Sequence, residues 1–152
     1  MTKKLLTFLF LILGATLPAL SSAQEEAHSD IPPAVIETLA EEPPLGQADL
    51  EAYIKIIPEL PKLLSDPQSA EQLAAGLNLS PIRFSYIVVK VPLVMALASG
   101  VDPKSLGLDS LPQSLRPSDS ELSLVKDNLE TLIEAAEKAN RAFEAWPGVT
   151  AK

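Results

Sequence analysis

Three side chains in the most apolar part of the chain have the types and the spacing of a ligand-binding site. Arg83, Tyr86 and Lys90 are separated by three and then four residues, which places them on one face of a helix. Two cations and a phenol beside apolar side chains can hold a carboxylate or a phosphate next to a hydrophobic cavity. The spacing therefore predicts a site for a small apolar or anionic ligand.

The alternative role for these three residues is structural. Buried cations are usually paired with acids from another element, or their stems cross apolar surface so that the charge reaches water. The last predicted helix offers acids for such pairs, namely Glu130, Glu134 and Glu137. The two interpretations differ in whether Arg83 and Lys90 are free to bind an external anion.

A second candidate surface lies on the last predicted helix. Ser118 and Glu121 have the spacing of a capping box, and apolar residues then recur in alternating steps of three and four. The candidate interface residues on this stripe and just beyond it are Leu122, Val125, Leu129, Leu132, Phe143 and Trp146. The stripe faces either the domain's own core or a second copy in a homodimer, and Trp146 either anchors a partner or closes the core.

The sequence lacks the residue types that most catalytic and metal-binding sites require. The chain of 152 residues contains no Cys and a single His, His28, in a polar stretch near the N-terminus. Thiol chemistry and disulfides are excluded, and a histidine metal site or a Ser-His-Asp triad is disfavoured. No phosphate-binding glycine loop is present, and the paired carboxylates follow no cleft pattern. We predict a non-catalytic protein without cofactor or metal, and rank an enzyme third among the functions.

Residues 1–23 have the pattern of a secretory signal peptide. Two lysines precede an apolar run, and Ser21-Ser22-Ala23 is a small-residue cleavage site. The apolar stretch from Leu5 to Leu20 has 16 residues, fewer than the roughly 20 that span a membrane. We expect cleavage before Gln24, export to the periplasm or outside a bacterial cell, and no stable membrane span afterwards.

The charge balance narrows the choice of partner. The formal net charge is −8, and it becomes −10 when the first 23 residues and their two lysines are removed. Nucleic acids and anionic membranes are bound through Lys and Arg, so we expect neither. The expected partner is a protein or a small ligand.

The sequence after the predicted signal peptide has the pattern of a helical protein. Residues 24–45 contain acids, two Pro-Pro pairs and no Lys or Arg, which indicates a flexible acidic linker with a short docked helix as the alternative. Residues 46–147 indicate a domain of about four or five helices around an apolar helix from Ser80 to Ser99, and residues 148–152 form a tail. Leucines between 106 and 115 indicate a connection that packs on the core.

These patterns together predict an all-α fold, a small compact array of helices with a buried apolar helix at its centre. The predicted function is that of an exported protein that binds a partner or a small ligand near Arg83, Tyr86 and Lys90. The alternative is a structural or chaperone-like envelope protein that self-associates through its last helix. The layout is typical of small exported helical proteins of bacteria.

Overall fold

The computed structural model describes residues 33–144, including every side chain in this range except those of Pro33, Pro61, Leu64, Ser65, Pro67 and Phe143. Several predictions from the sequence lie outside the described residues. These are the signal peptide, the first part of the acidic segment with His28, Trp146 and the tail at 148–152.

The regular structure of residues 33–144 is entirely helical, which confirms the predicted all-α class. The α-helices in chain order are α1 (Pro33–Ala40), α2 (Gln47–Ile56), α3 (Leu60–Ser65), α4 (Pro67–Gly76), α5 (Pro81–Ala98), α6 (Asp119–Asp127) and α7 (Leu129–Glu144). A 3₁₀ turn, Ile57–Glu59, joins α2 to α3 at the position of Pro58 and Pro61, since a proline inside a helix removes a backbone donor and crowds the preceding turn.

Three helices begin at side-chain caps, of which the capping box of Ser118 and Glu121 is predicted above. Asp66 accepts a hydrogen bond from the backbone of Gln68 at the start of α4, and Ser80 accepts one from Arg83 at the start of α5. Ser118 and Glu121 form the capping box of α6. These caps satisfy backbone donors that would otherwise lack partners and so set where each helix begins.

Helix α5 is the centre of the molecule. It contacts α1, α2, α4, α6 and α7, and it supplies the largest group of core side chains. Its fully buried residues include Ile87, Val88, Val91 and Val94. Among the described residues α5 alone is long and apolar enough to cross a membrane, a property that core helices of soluble proteins share, and 56% of it is buried within the fold.

A strap of 3₁₀ turns, defined here as residues 102–116, connects α5 to α6. Helix α5 ends at Ala98, and Gly100 two residues later has a φ of 87° that suits glycine and lets the backbone of Val101 donate to the carbonyl of Ala96. The strap then forms the turns Pro103–Leu106, Leu108–Ser110 and Gln113–Leu115. Leu115 is buried and Leu111 packs against the core, as predicted for this connection.

The described part of the acidic segment follows the predicted alternative of a short docked helix rather than that of a flexible linker. Residues 33–40 form α1, which packs on α5 and on the last turn of the strap. Leu39 and Leu45 belong to the hydrophobic core, whereas Glu37 and Glu41 are exposed. The described part of this segment is therefore an element of the domain, because its apolar residues share one helical face despite an acidic composition.

The last predicted helix is interrupted at Asn128. The side-chain amide of Asn128 donates to the carbonyl of Leu124 at 2.8 Å, and the backbone there departs from helical angles with φ −111° and ψ 6°. The apolar stripe keeps its direction across this break, with Val125 and Leu132 both fully buried. One predicted helix is thus two consecutive helices that share one buried face.

Candidate functional site

Helix α5 brings Arg83, Tyr86 and Lys90 together, as their spacing predicts. The guanidinium carbon of Arg83 lies 4.9 Å from the centre of the Tyr86 ring, and Nζ of Lys90 lies 5.5 Å from it. Both cations are therefore within range of cation–π attraction to one phenol. The three side chains form a continuous row on one face of the central helix.

Arg83 is held by the first turn of α2 and by the connection between α1 and α2. Its Nε and Nη2 donate to the two carboxylate oxygens of Asp49 at 3.0 and 2.6 Å, a bidentate geometry. Nη1 donates to Glu42 at 3.3 Å and to the carbonyl of Pro43 at 2.6 Å, and Nη2 also donates to the carbonyl of Pro44. Burial alone lowers the pKa of Arg83, but hydrogen bonds and charge from Asp49 and Glu42 outweigh it and raise the pKa above its usual value.

Lys90 forms a buried ion pair with Glu121. Each residue is 2% exposed, and Nζ of Lys90 lies 3.5 Å from Oε2 of Glu121. Nζ also donates to the carbonyls of Ser114 and Arg116 in the strap at 3.4 and 3.3 Å. Burial lowers the pKa of Lys90, and the nearby carboxylate opposes this shift without reversing it.

Glu121 accepts hydrogen bonds from three parts of the chain. Its Oε1 accepts from the backbone of Leu45 at 3.0 Å and from the Tyr86 hydroxyl at 3.4 Å, and Oε2 accepts from the backbone of Ser118 at 2.9 Å. Burial raises the pKa of Glu121, but the backbone donors and Lys90 outweigh it and hold the pKa below its usual value. Burial of Tyr86 and the charge of the nearby Glu121 both raise the pKa of Tyr86.

The acids that neutralise the two cations differ from those offered by the sequence. Glu130, Glu134 and Glu137 are exposed on α7, whereas Asp49, Glu42 and Glu121 make the pairs. Sequence reasoning identified Glu121 only as part of a capping box. A buried lysine on an apolar helix requires a counter-charge. The position of Lys90 on α5 is therefore the one signal in the sequence that an acid such as Glu121 also forms a buried ion pair. The ligand-binding role of Arg83, Tyr86 and Lys90 stays a prediction.

A small apolar pocket lies beside this row of side chains. Its volume is about 40 Å³, and α5, α1 and the strap each contribute part of its lining. The lining residues are Ile36, Leu39, Tyr86, Val89, Lys90, Leu93, Leu111 and Leu115. Ile36, Val89 and Leu111 are half-buried, so the pocket is partly open to solvent. No buried side-chain nitrogen or oxygen of the described residues lacks a hydrogen-bond partner, so no orphaned polar group faces this space.

The candidate interface on the last helices is mostly core. Val125 and Leu132 are fully buried, and Leu122 and Leu129 pack against the core with part of their surface exposed. Val125 and Leu132 contact other elements of the same chain, as in the intramolecular alternative, and self-association through this stripe stays a prediction. The side chain of Phe143 and all of Trp146 lie outside the described residues.

Within residues 33–144, no group of three or more His, Cys, Asp or Glu side chains is placed to hold a metal ion. Comparison with models of protein families, with curated proteins and with solved structures finds no match to this chain. The geometry of the described residues is therefore the basis for any functional assignment.

Proposed function

We propose that this is an exported, non-catalytic protein that binds a small, slender apolar molecule in the pocket between α1, α5 and the strap. The observation that carries the proposal is the pocket itself, whose lining comes from six aliphatic side chains together with Tyr86 and Lys90. Pockets lined in this way take up apolar groups, because the transfer of hydrocarbon from water is favourable.

The charge arrangement favours an apolar ligand over an anionic one. Arg83 already binds Asp49 and Glu42, and Lys90 already binds Glu121. An external anion would have to displace these internal carboxylates and leave them buried without a partner, which is strongly unfavourable. We therefore assign the row of side chains a positioning role beside the pocket rather than a role in binding an anion.

The size of the pocket favours the end of an aliphatic chain. A volume of about 40 Å³ exceeds the roughly 10–15 Å³ that one water molecule needs in a cavity and is well below the roughly 150 Å³ of a cavity that takes up benzene. An aromatic ring does not fit this space, whereas a terminal methyl group enters it, and further methylene groups follow if a wall yields. Each methylene group that leaves water contributes about 0.8 kcal/mol.

The test begins with what accompanies the protein from its own source. Native mass spectrometry of residues 24–152 from the cell envelope or medium is expected to show a bound apolar molecule. Methyl NMR with n-decanol as the probe is then expected to give saturable shifts at Leu39 and Leu115, and decanoate of equal chain length is expected to bind no more tightly. Tighter, salt-sensitive binding of decanoate would instead support the anionic ligand.

Blocking the pocket is expected to abolish binding. Val89 lines the pocket and is half-buried, so Val89→Phe places a ring across the open side of the pocket without replacing a core residue. Ile82→Phe is the matched control, because Ile82 lies on the same helix, is 42% exposed and is absent from the lining. Loss of the decanol shifts in Val89→Phe and their retention in Ile82→Phe are expected; equal binding by both variants contradicts the proposal.

A further inference from the structure

The two walls of the pocket are attached to α5 in different ways. Helix α1 forms one wall and the strap forms the other. Arg83 holds the connection that follows α1 through bonds to the Pro43 carbonyl at 2.6 Å and to Glu42 at 3.3 Å, and it holds the first turn of α2 through Asp49 at 2.6 Å. The backbone of Leu45 is also bound by Glu121. The chain segment that directly follows the α1 wall is therefore fastened by several charge-assisted hydrogen bonds.

The strap, by contrast, is bonded chiefly to itself. The backbone of Leu111 donates to Leu108, and the backbone of Leu115 donates to Pro112. The guanidinium of Arg116 donates to the carbonyls of Leu111 and Asp109, at 3.1 and 3.0 Å. None of these bonds connects the strap to α1, α5 or α6, so they do not oppose local opening of the strap.

A single side chain makes the hydrogen bonds that cross from the strap to the rest of the described chain. Nζ of Lys90 donates to Ser114 and Arg116 at 3.4 and 3.3 Å, near the long end of hydrogen-bond distances. The apolar packing of Leu111 and Leu115 adds to this attachment. At one end of the strap Gly100 has a positive φ, and at the other Pro117 precedes the cap of α6.

From this difference we infer that the strap is the movable wall of the pocket, and that Lys90 holds it closed. When the strap moves outward, Leu111 and Leu115 leave the pocket, and the apolar space beside Val89 and Leu93 becomes longer. Helix α1 stays in place. A chain longer than the closed pocket then enters from the strap side. The role of this movement in ligand entry rests on the proposed function. The movement itself is expected in the protein without ligand.

Hydrogen exchange of residues 24–152 without ligand tests the inference. In the unaltered protein the amides of Leu111, Leu115 and Arg116 are expected to exchange faster than those in the middle of α5, with little dependence on low denaturant concentrations. This pattern is that of local opening. If the strap and α5 instead exchange at one rate with one denaturant dependence, the strap opens only when the whole protein unfolds, and the inference is wrong.

A pair of double variants tests the role of Lys90. Lys90→Met/Glu121→Gln removes the strap's attachment together with its counter-charge, and is expected to accelerate exchange in the strap by at least about tenfold. Arg83→Met/Asp49→Asn is the matched control, since it removes the other cation and its acid; it is expected to accelerate exchange at Leu45 and Gly46 and to leave the strap unchanged.

The outcomes separate this inference from the proposed function. Equal exchange of the strap in both double variants overturns the role of Lys90, whatever decanol does. A strap that opens locally in a protein that fails to bind decanol overturns the proposed function and leaves the movable wall established.

Discussion

Glu121 connects local and distant parts of the chain through one carboxylate. As the third residue of α6 it caps the helix by accepting from Ser118, and it also binds Lys90, Tyr86 and the backbone of Leu45. A buried ion pair is stable where additional hydrogen bonds satisfy the remaining lone pairs, and these donors meet that condition. Removal of the negative charge should therefore affect stability far more than the loss of a surface charge.

Glu121→Gln is expected to lower the free energy of unfolding by about 3 kcal/mol at neutral pH, because it leaves the Lys90 ammonium buried without its counter-charge. Urea denaturation measures this loss, and Glu130→Gln, at an exposed position on α7, is the matched control, expected to change the stability by less than about 0.5 kcal/mol.

The cost of this substitution is also expected to depend on pH. The pKa of Glu121 is lower in the folded protein than in the unfolded chain, so the folded state binds fewer protons at this group. Its stabilisation is complete above the unfolded pKa, near 4.3, and is lost as the pH falls through the lower folded value. The difference in the free energy of unfolding between the unaltered protein and Glu121→Gln should therefore shrink below about pH 4. A difference that stays constant from pH 7 to pH 3 would contradict this assignment.

At the scale of elements, α6 and α7 show how one apolar stripe can serve two helices. Asn128 interrupts the helix, but the apolar residues on both sides of it stay on one face. The backbone of Leu132 still donates to the carbonyl of Asn128 at 3.1 Å, so the helical spacing resumes directly after the break. The amide of Asn128 also exchanges hydrogen bonds with Gln47 at the start of α2. The stripe therefore covers α2, α3 and the turn between them.

Leu132→Ala is expected to destabilise the fold by about 3 kcal/mol, because it removes a fully buried side chain and leaves a cavity. Thermal unfolding at several protein concentrations measures the loss, with Glu130→Ala on the exposed face of α7 as the control. The loss is expected to be independent of concentration. A loss that grows on dilution would indicate that Leu132 instead stabilises a dimer.

At the scale of the whole molecule, α1 extends the domain beyond the boundary predicted near residue 45. It covers α5 and forms one wall of the pocket through Ile36 and Leu39. The connection after it is held by Arg83 and Glu121. The acidic segment therefore contributes to both the core and the proposed binding site.

Leu39→Ala is expected to lower the stability of the whole domain by about 2 kcal/mol or more, because Leu39 is a core residue. Glu37→Ala on the exposed side of α1 is expected to change it by less than about 0.5 kcal/mol. Chemical denaturation monitored by circular dichroism compares the two. Equal stability of both variants would mean that α1 is dispensable, as expected of a linker.

The helical class, the caps and the central position of α5 followed from the sequence alone. A cap such as Ser118 and an apolar period such as that of α7 involve residues within a few turns of each other, so a short stretch contains the whole signal. The sequence also placed Arg83, Tyr86 and Lys90 on one face and predicted that the leucines of the strap pack on the core, which Leu111 and Leu115 do, whereas Leu106 and Leu108 lie outside the core.

The tertiary structure decided which groups neutralise those cations and where the pocket lies. Asp49 is 34 residues from Arg83, and the bond between Leu45 and Glu121 spans 76 residues. No local pattern encodes such a pairing, because it depends on which helices meet. For the same reason composition alone favoured a linker where α1 forms: the free energy of burying Leu39 depends on α5 and the strap, which are distant in the sequence.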